Sequence, residues 1–176
     1  MSLEDVTAGD SAPDEVNVVI EIPQGCGNKY EYDKDMGMLK LDRVQPTTMK
    51  QPYDYGFIPD TLSDDGDPLD ALIVIEEPLY PNVVVPCRTV GVLKMIDDGD
   101  YDEKLICVAA DDKQYDHVRS LEDLGEHFQK KIAHYFQHYK DLQNKEVEIS
   151  GWGDVDEAHE ITRTAISNHQ SYTRHK

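Results

Sequence analysis

A succession of short runs rich in β-branched residues, each closed off by Gly, Pro or Asp, fills the first two thirds of this chain and dictates a sheet. The runs are VNVVIEIP at 16–23, KYEYD at 29–33, MLKLDRV at 38–44, ALIVI at 71–75, VVVPCRTVGVLKMI at 83–96 and KLICVAA at 104–110. Branched Cβ atoms favour extended backbone and Gly, Pro and Asp end it, so the runs read as a sheet of five or more strands. PQGCGN, SDDGDP and DDGDYD supply turns between them. From Ser120 the period changes. Leu121, Leu124, Phe128, Ile132, Tyr135 or Phe136, Tyr139 and Leu142 recur every three or four residues, which predicts one amphipathic helix opened by a capping box of Ser120 and Asp123. A second helix is predicted over about 156–167, with Ala158, Ile161, Ala165 and Ile166 on one side. Strands followed by helices give an α+β fold, expected as a small closed barrel with helices packed outside.

The 176 residues, 39% hydrophobic and 30% charged, suit a single globular domain spanning 1–176. No apolar run approaches the ~18 residues of a membrane span. The opening MSLEDVTAGD has neither the basic nor the apolar part of an export signal, so a cytoplasmic chain is expected. Cys26, Cys87 and Cys107 are widely spaced with no CxxC pair, which fits reduced structural thiols. Asp and Glu number 36 against 17 Lys and Arg, a formal net charge of -19. Such a charge argues against nucleic acid and anionic membranes as partners. It also repels itself over ~30 Å in dilute buffer, a reach that molar salt cuts to ~3 Å, so a host with a salty cytoplasm is expected.

DGDPLDA places Asp65, Asp67 and Asp70 at the mouth of the apolar run ALIVI, with Pro68 stiffening the backbone between them. Asp97, Asp98, Asp100 and Asp102 occupy the turn between GVLKMI and KLICVAA. In so acidic a chain each cluster can be a solvated loop, but two acidic turns at one sheet edge can also converge. Unit charges ~4 Å apart at an effective dielectric of ~20 repel by about 4 kcal/mol, and a hard divalent cation reverses that sign. Oxygen-only ligands select Mg²⁺, Mn²⁺ or Ca²⁺ over zinc. A calcium loop fails by inspection, because its required sixth-place Gly is Asp70 counted from Asp65 and Glu103 counted from Asp98. Scarce cations stand near these turns: Lys29, Arg43 and Lys104 at or near strand ends, and Lys140 after Tyr139 on the long helix. Tyr53 and Tyr55 in QPYDYGFIP can hydrogen-bond a phosphate oxygen or pack.

Taken together, DGDPLDA, VVIEIPQG, KYEYD, LDRV, YGFIP, GVLKMIDDGDYDEK and AHYFQHYKDL resemble, in order and spacing, the first family of soluble inorganic pyrophosphatases, from about Val16 to Trp152. The resemblance implies a five-stranded, OB-like barrel flanked by helices and Mg²⁺-dependent hydrolysis of pyrophosphate to two orthophosphates. It implies several Mg²⁺ ions per site, with Mn²⁺ a substitute and Ca²⁺ inhibitory. Asp65, Asp70 and Asp102 would hold the first metal and Asp97 with Asp102 a further one. Glu21 and Glu31 would complete the metal and water network. Asp67 would be the general base for a directly attacking water. Lys29, Arg43, Lys104, Tyr55, Tyr139 and Lys140 would bind the two phosphoryl groups. One departure stands out: the family often carries Tyr where this chain has Gln51, and Gln51→Tyr is expected to leave activity nearly unchanged if the position is peripheral.

His134 and His138 stand at i and i+4, but HYFQH lacks the Glu of a zinc protease motif and no third ligand is evident. The resemblance implies that this helix meets another subunit in a homohexamer, where Asp141 can pair with the imidazoles. Two other function classes fit the sequence less well. A phosphate-ester or nucleotide phosphatase needs a pocket for an organic group, for which no recognition feature is found. A non-catalytic barrel binding oligonucleotides needs a basic stripe that the chain lacks.

Overall fold

The structure is a computed structural model and describes residues 3–175. Among the described residues eight strands run in chain order: β1 (Glu15–Ile22), β2 (Asn28–Asp33), β3 (Met38–Val44), β4 (Asp54–Phe57), β5 (Asp70–Val74), β6 (Val84–Asp97), β7 (Asp100–Ala109) and β8 (Val147–Gly153). Three α-helices accompany them: α1 (Leu121–Leu124), α2 (Glu126–His138) and α3 (Val155–Arg174). The larger sheet has the order β1-β4-β5-β7-β6-β8, and β1 also pairs with β6, so β1, β4, β5, β7 and β6 form a closed ring. β2 and β3 form a separate hairpin. All pairings are antiparallel except that of β5 with β7, which sets Asp70 opposite Lys104.

Strands with both faces buried explain the unbroken apolar runs. Along β5, Ala71 and Ile73 enter one core cluster with Val18, Ile20, Leu105 and Cys107, while Leu72 and Val74 enter the other with Leu93, Met95 and Ile106. Ala158 and Ala165 of α3 close the first cluster, and Phe128, Ile132 and Phe136 of α2 close the second. Each buried Leu, Ile, Val or Phe contributes about 1.5–3 kcal/mol through apolar surface removed from water. The hairpin joining β6 to β7 turns at Asp98 (φ 53) and Gly99 (φ 93). Both central residues being left-handed matches the right-handed twist of the strands and explains the Asp-Gly pair.

The structure bears out a sheet of five or more strands, adds to it, and corrects both helix expectations. β4 and β8 are additional strands. The long helix expected from Ser120 to Leu142 is broken at Gly125 (φ 85), and after α2 the chain makes only a 3-10 turn at Asp141–Gln143. The second helix extends well past 167, to Arg174. The Ser120–Asp123 capping box is present, and Cys26, Cys87 and Cys107 are free thiols. Among the described residues no helix is long and apolar enough to cross a membrane.

Candidate active site

Residues of six strands, the loop before β5 and the segment following α2 line a cleft of about 660 Å³. The parallel pairing of β5 and β7 brings Asp70 beside Lys104. The β6–β7 hairpin adds Asp97 and Asp102, and the loop before β5 adds Asp65 and Asp67. Glu21 projects from β1, Lys29 and Glu31 from β2, Tyr55 from β4, and Tyr139 and Lys140 from the segment following α2. The two acidic turns therefore meet, and these residues, all expected from sequence, line one cleft. Arg43 does not line the cleft: its Nε donates to Asp42 Oδ2 at 2.9 Å and its Nη1 to Gln143 Oε1 at 3.1 Å. It still stands close enough for its charge to act on Lys140.

Lys104 is the centre of the charge arrangement. With 2% of its surface exposed, its Nζ donates to Tyr55 Oη at 3.0 Å, Asp70 Oδ2 at 2.9 Å and Asp102 Oδ1 at 3.0 Å. Burial opposes its charge, but Asp70, Tyr55 and Asp102 outweigh burial and hold its pKa well above the ordinary range. Tyr55 Oη donates to Asp70 Oδ2 at 2.5 Å. Burial and the Asp70 charge raise its pKa well above that of a free phenol, and burial does the same for Tyr139. Both phenols stay protonated donors at neutral pH.

The carboxylates feel one another. Burial and then the neighbouring Asp102, Asp67 and Asp70 push Asp65 upward, against the lowering hydrogen bond from the Asp67 backbone. Asp102 is raised by burial and by Asp70 and Asp97, against Lys104. Glu21, which accepts from the Tyr32 backbone N–H at 2.8 Å, is pushed up to about 8, chiefly by burial. Lys140 donates to Asp97 Oδ2, and burial pulls the Lys140 pKa below its usual value. Lys29 pairs with Glu31 and, at 3.6 Å, with Asp42.

Among the described residues no three His, Cys, Asp or Glu side chains are arranged to hold a metal ion, and ammonium groups stand between the carboxylates instead. The donor set nevertheless fits hard divalent cations. It is oxygen-only, and among the described residues Asp97 Oδ1 is buried without a hydrogen-bond partner.

Sequence reasoning missed the tip of the β2–β3 hairpin. Asp33, Lys34 and Asp35 also line the cleft, as do Tyr32 and Phe57. The available signal was Lys34, a cation set between two acids at the turn of a strand pair. Gln51 is buried at 6% exposure and is not among the residues that line the cleft.

The sequence profile of the inorganic pyrophosphatase family matches residues 18–170. The chain is 48% identical over 155 residues to the inorganic pyrophosphatase of Synechocystis sp., covering 88% of this chain and 92% of that protein. It is 46% identical over 172 residues to that of Thermus thermophilus, covering 96% and 98%. The crystal structure of the Thermus thermophilus inorganic pyrophosphatase superposes with a TM-score of 0.92 over 97% of this chain and 99% of that one. The chain belongs to the inorganic pyrophosphatase family.

Proposed function

We propose that this chain hydrolyses inorganic pyrophosphate to two orthophosphates in the cleft around Lys104, pulling pyrophosphate-releasing biosynthetic reactions forward. The observation that carries the reading is the meeting of both acidic turns with Lys29, Lys104 and Lys140 in one cleft. Lys29, Arg43, Lys104 and Lys140 neutralise the two phosphoryl groups, and Tyr55 and Tyr139 donate hydrogen bonds to them. Asp67, exposed at the edge of the cleft, accepts a proton from the attacking water. The water oxygen bonds directly to one phosphorus as the bridging P–O bond breaks, the second phosphate departs with that bond's electron pair, and no phosphoenzyme forms.

Asp65, Asp70 and Asp102 would hold one divalent cation and Asp97 with Asp102 another, with Glu21 and Glu31 completing the network. Mg²⁺ is the expected ion, several per site, with Mn²⁺ a substitute and Ca²⁺ an inhibitor. When bound, such cations lower the pKa of water and screen phosphate charge.

The same reading takes 1–176 as one domain, the closed ring of strands as an OB-like barrel, and the protein as cytoplasmic, salt-adapted and homohexameric. Supporting a contact role for α2, the His134 and His138 rings lie 4.7 Å apart and His138 Nδ1 is 2.9 Å from Asp141 Oδ2, on an exposed face.

The experiment is phosphate release in molar KCl with Mg²⁺, from pyrophosphate and from ATP, for the wild type and Asp67→Asn. Rapid release from pyrophosphate alone, reduced about 10²–10⁴-fold in the variant, is expected if Asp67 is the general base. Equal release from ATP would favour a nucleotide phosphatase, and no release from either would end the reading.

A further inference from the structure

We propose that Gln51 and Tyr135 form a positioning pair that holds the Tyr139 ring in place for substrate, an inference that rests on the pyrophosphate-hydrolase reading. Tyr135 Oη donates to Gln51 Oε1 at 3.2 Å. Both side chains are buried, Gln51 at 6% and Tyr135 at 8% exposure, and neither lines the cleft. Their reach into it is through the stack: the Tyr135 and Tyr139 rings are 5.2 Å apart and nearly parallel at 25°. Phe136 meets both edge-on, at 5.1 Å and 5.6 Å, so the three rings form one packed unit with little freedom to tilt. Tyr139 presents the end of that unit to the cleft, and Lys140 Nζ lies 5.3 Å from the Tyr139 ring centre.

The other end of the pair is anchored. The Gln51 backbone N–H donates to Cys26 O at 2.9 Å, and the Gln51 carbonyl accepts from the Gly25 N–H at 2.8 Å. Gln51 is thereby fixed to the connection between β1 and β2, the strands that carry Glu21 and Lys29. The Tyr135 hydroxyl thus ties α2, through Gln51, to the loop that joins these two cleft-lining strands.

A purely space-filling role fits this site badly. Among the described residues Gln51 Nε2 is buried with no hydrogen-bond partner, and reversing the amide would only exchange which of its two polar atoms is left over. A Leu or Met of similar size would avoid burying an unpaired amide atom. What Gln adds over them is the single directional bond to Tyr135.

The test is steady-state pyrophosphate hydrolysis with Mg²⁺, alongside melting temperature, for the wild type, Gln51→Leu, Tyr135→Phe and the double variant, and for Gln51→Leu in a Tyr139→Phe background. The expected result is a roughly 3–10-fold rise in KM for each single variant with kcat within about twofold, as for loss of one neutral hydrogen bond. The double variant should rise no further than either single one, and in the Tyr139→Phe background Gln51→Leu should add nothing. Tyr135→Phe keeps the ring and loses only the hydroxyl, so it decides the matter even if Gln51→Leu does not fold. An unchanged KM in Tyr135→Phe, or single effects that multiply in the double variant, would overturn the pair even if melting temperatures fall. A wild type that releases no phosphate would overturn the hydrolase reading itself, and the pair with it.

Discussion

Lys104 and Cys107 lie three residues apart on β7 and meet burial in opposite ways. Lys104 keeps its charge because Asp70 and Asp102 accept from it directly. Cys107 has Thr89 Oγ1 at 3.9 Å, and burial pushes its thiol up to about 12. Cys87 is also fully buried and raised well above the usual thiol range, first by burial. Thiolate, not thiol, attacks disulfide reagents, so both should be inert in the native protein. Cys26, partly exposed, should react alone at pH 8 with an aromatic disulfide reagent, and Cys26, Cys87 and Cys107 should all react after denaturation. Native labelling at Cys107 would show that the strand pairing around it opens more readily than its burial implies. The sequence carried the carboxylates and cations of the site at this scale because acidic turns beside apolar strands are a local pattern. It did not reveal the bond between Gln51 and Tyr135, whose partners are 84 residues apart and leave no local pattern.

Strand β4 shows why an element can be invisible in a chain whose other strands are plain. QPYDYGFIP contains the residue types that end strands, so it reads as a turn. In the structure Gly56 is there for a different reason: it pairs with Ile20 of β1, and a Cβ at Gly56 would lie 1.9 Å from the Val19 carbonyl oxygen. The obstacle is backbone, which cannot rotate aside. Gly56→Ala should therefore cost on the order of 3 kcal/mol, a fall of roughly 6–12 °C in melting temperature for a chain of this size. It should also lower activity, because Tyr55 is the next residue. A melting temperature within about 2 °C of wild type would mean that β1 and β4 can separate at no cost. β8 escaped notice similarly, as VEISGWG is short and Gly-containing. The long helix was overextended because hydrophobic spacing continues through Gly125 while the backbone does not. By contrast, strands buried on both faces were legible as continuous apolar runs.

At the scale of the whole molecule, the 36 acids and 17 Lys and Arg are unevenly spent. Lys104 and Lys140 are buried against Asp70, Asp102 and Asp97, and Lys29 faces Glu31 and Asp42 beside them. Cations placed inside the cleft cannot offset carboxylates on the outer surface, where exposed ion pairs such as Lys130–Glu126 contribute little. The formal charge of -19 therefore acts mainly as surface repulsion. In ~10 mM salt that repulsion extends ~30 Å, across most of the molecule, whereas in ~1 M KCl it is confined to ~3 Å. The same repulsion acts between copies, so assembly and folding should respond to salt in the same direction. Relief of a few kcal/mol corresponds to a rise of roughly 10 °C in melting temperature between the two conditions. Sedimentation should show a hexamer in molar KCl giving way to smaller species in dilute buffer. A melting temperature indifferent to KCl would remove the case for salt adaptation and leave an ordinary acidic surface. A monomer in molar KCl would separately refute the hexamer, because screening would then have removed the repulsion without association following.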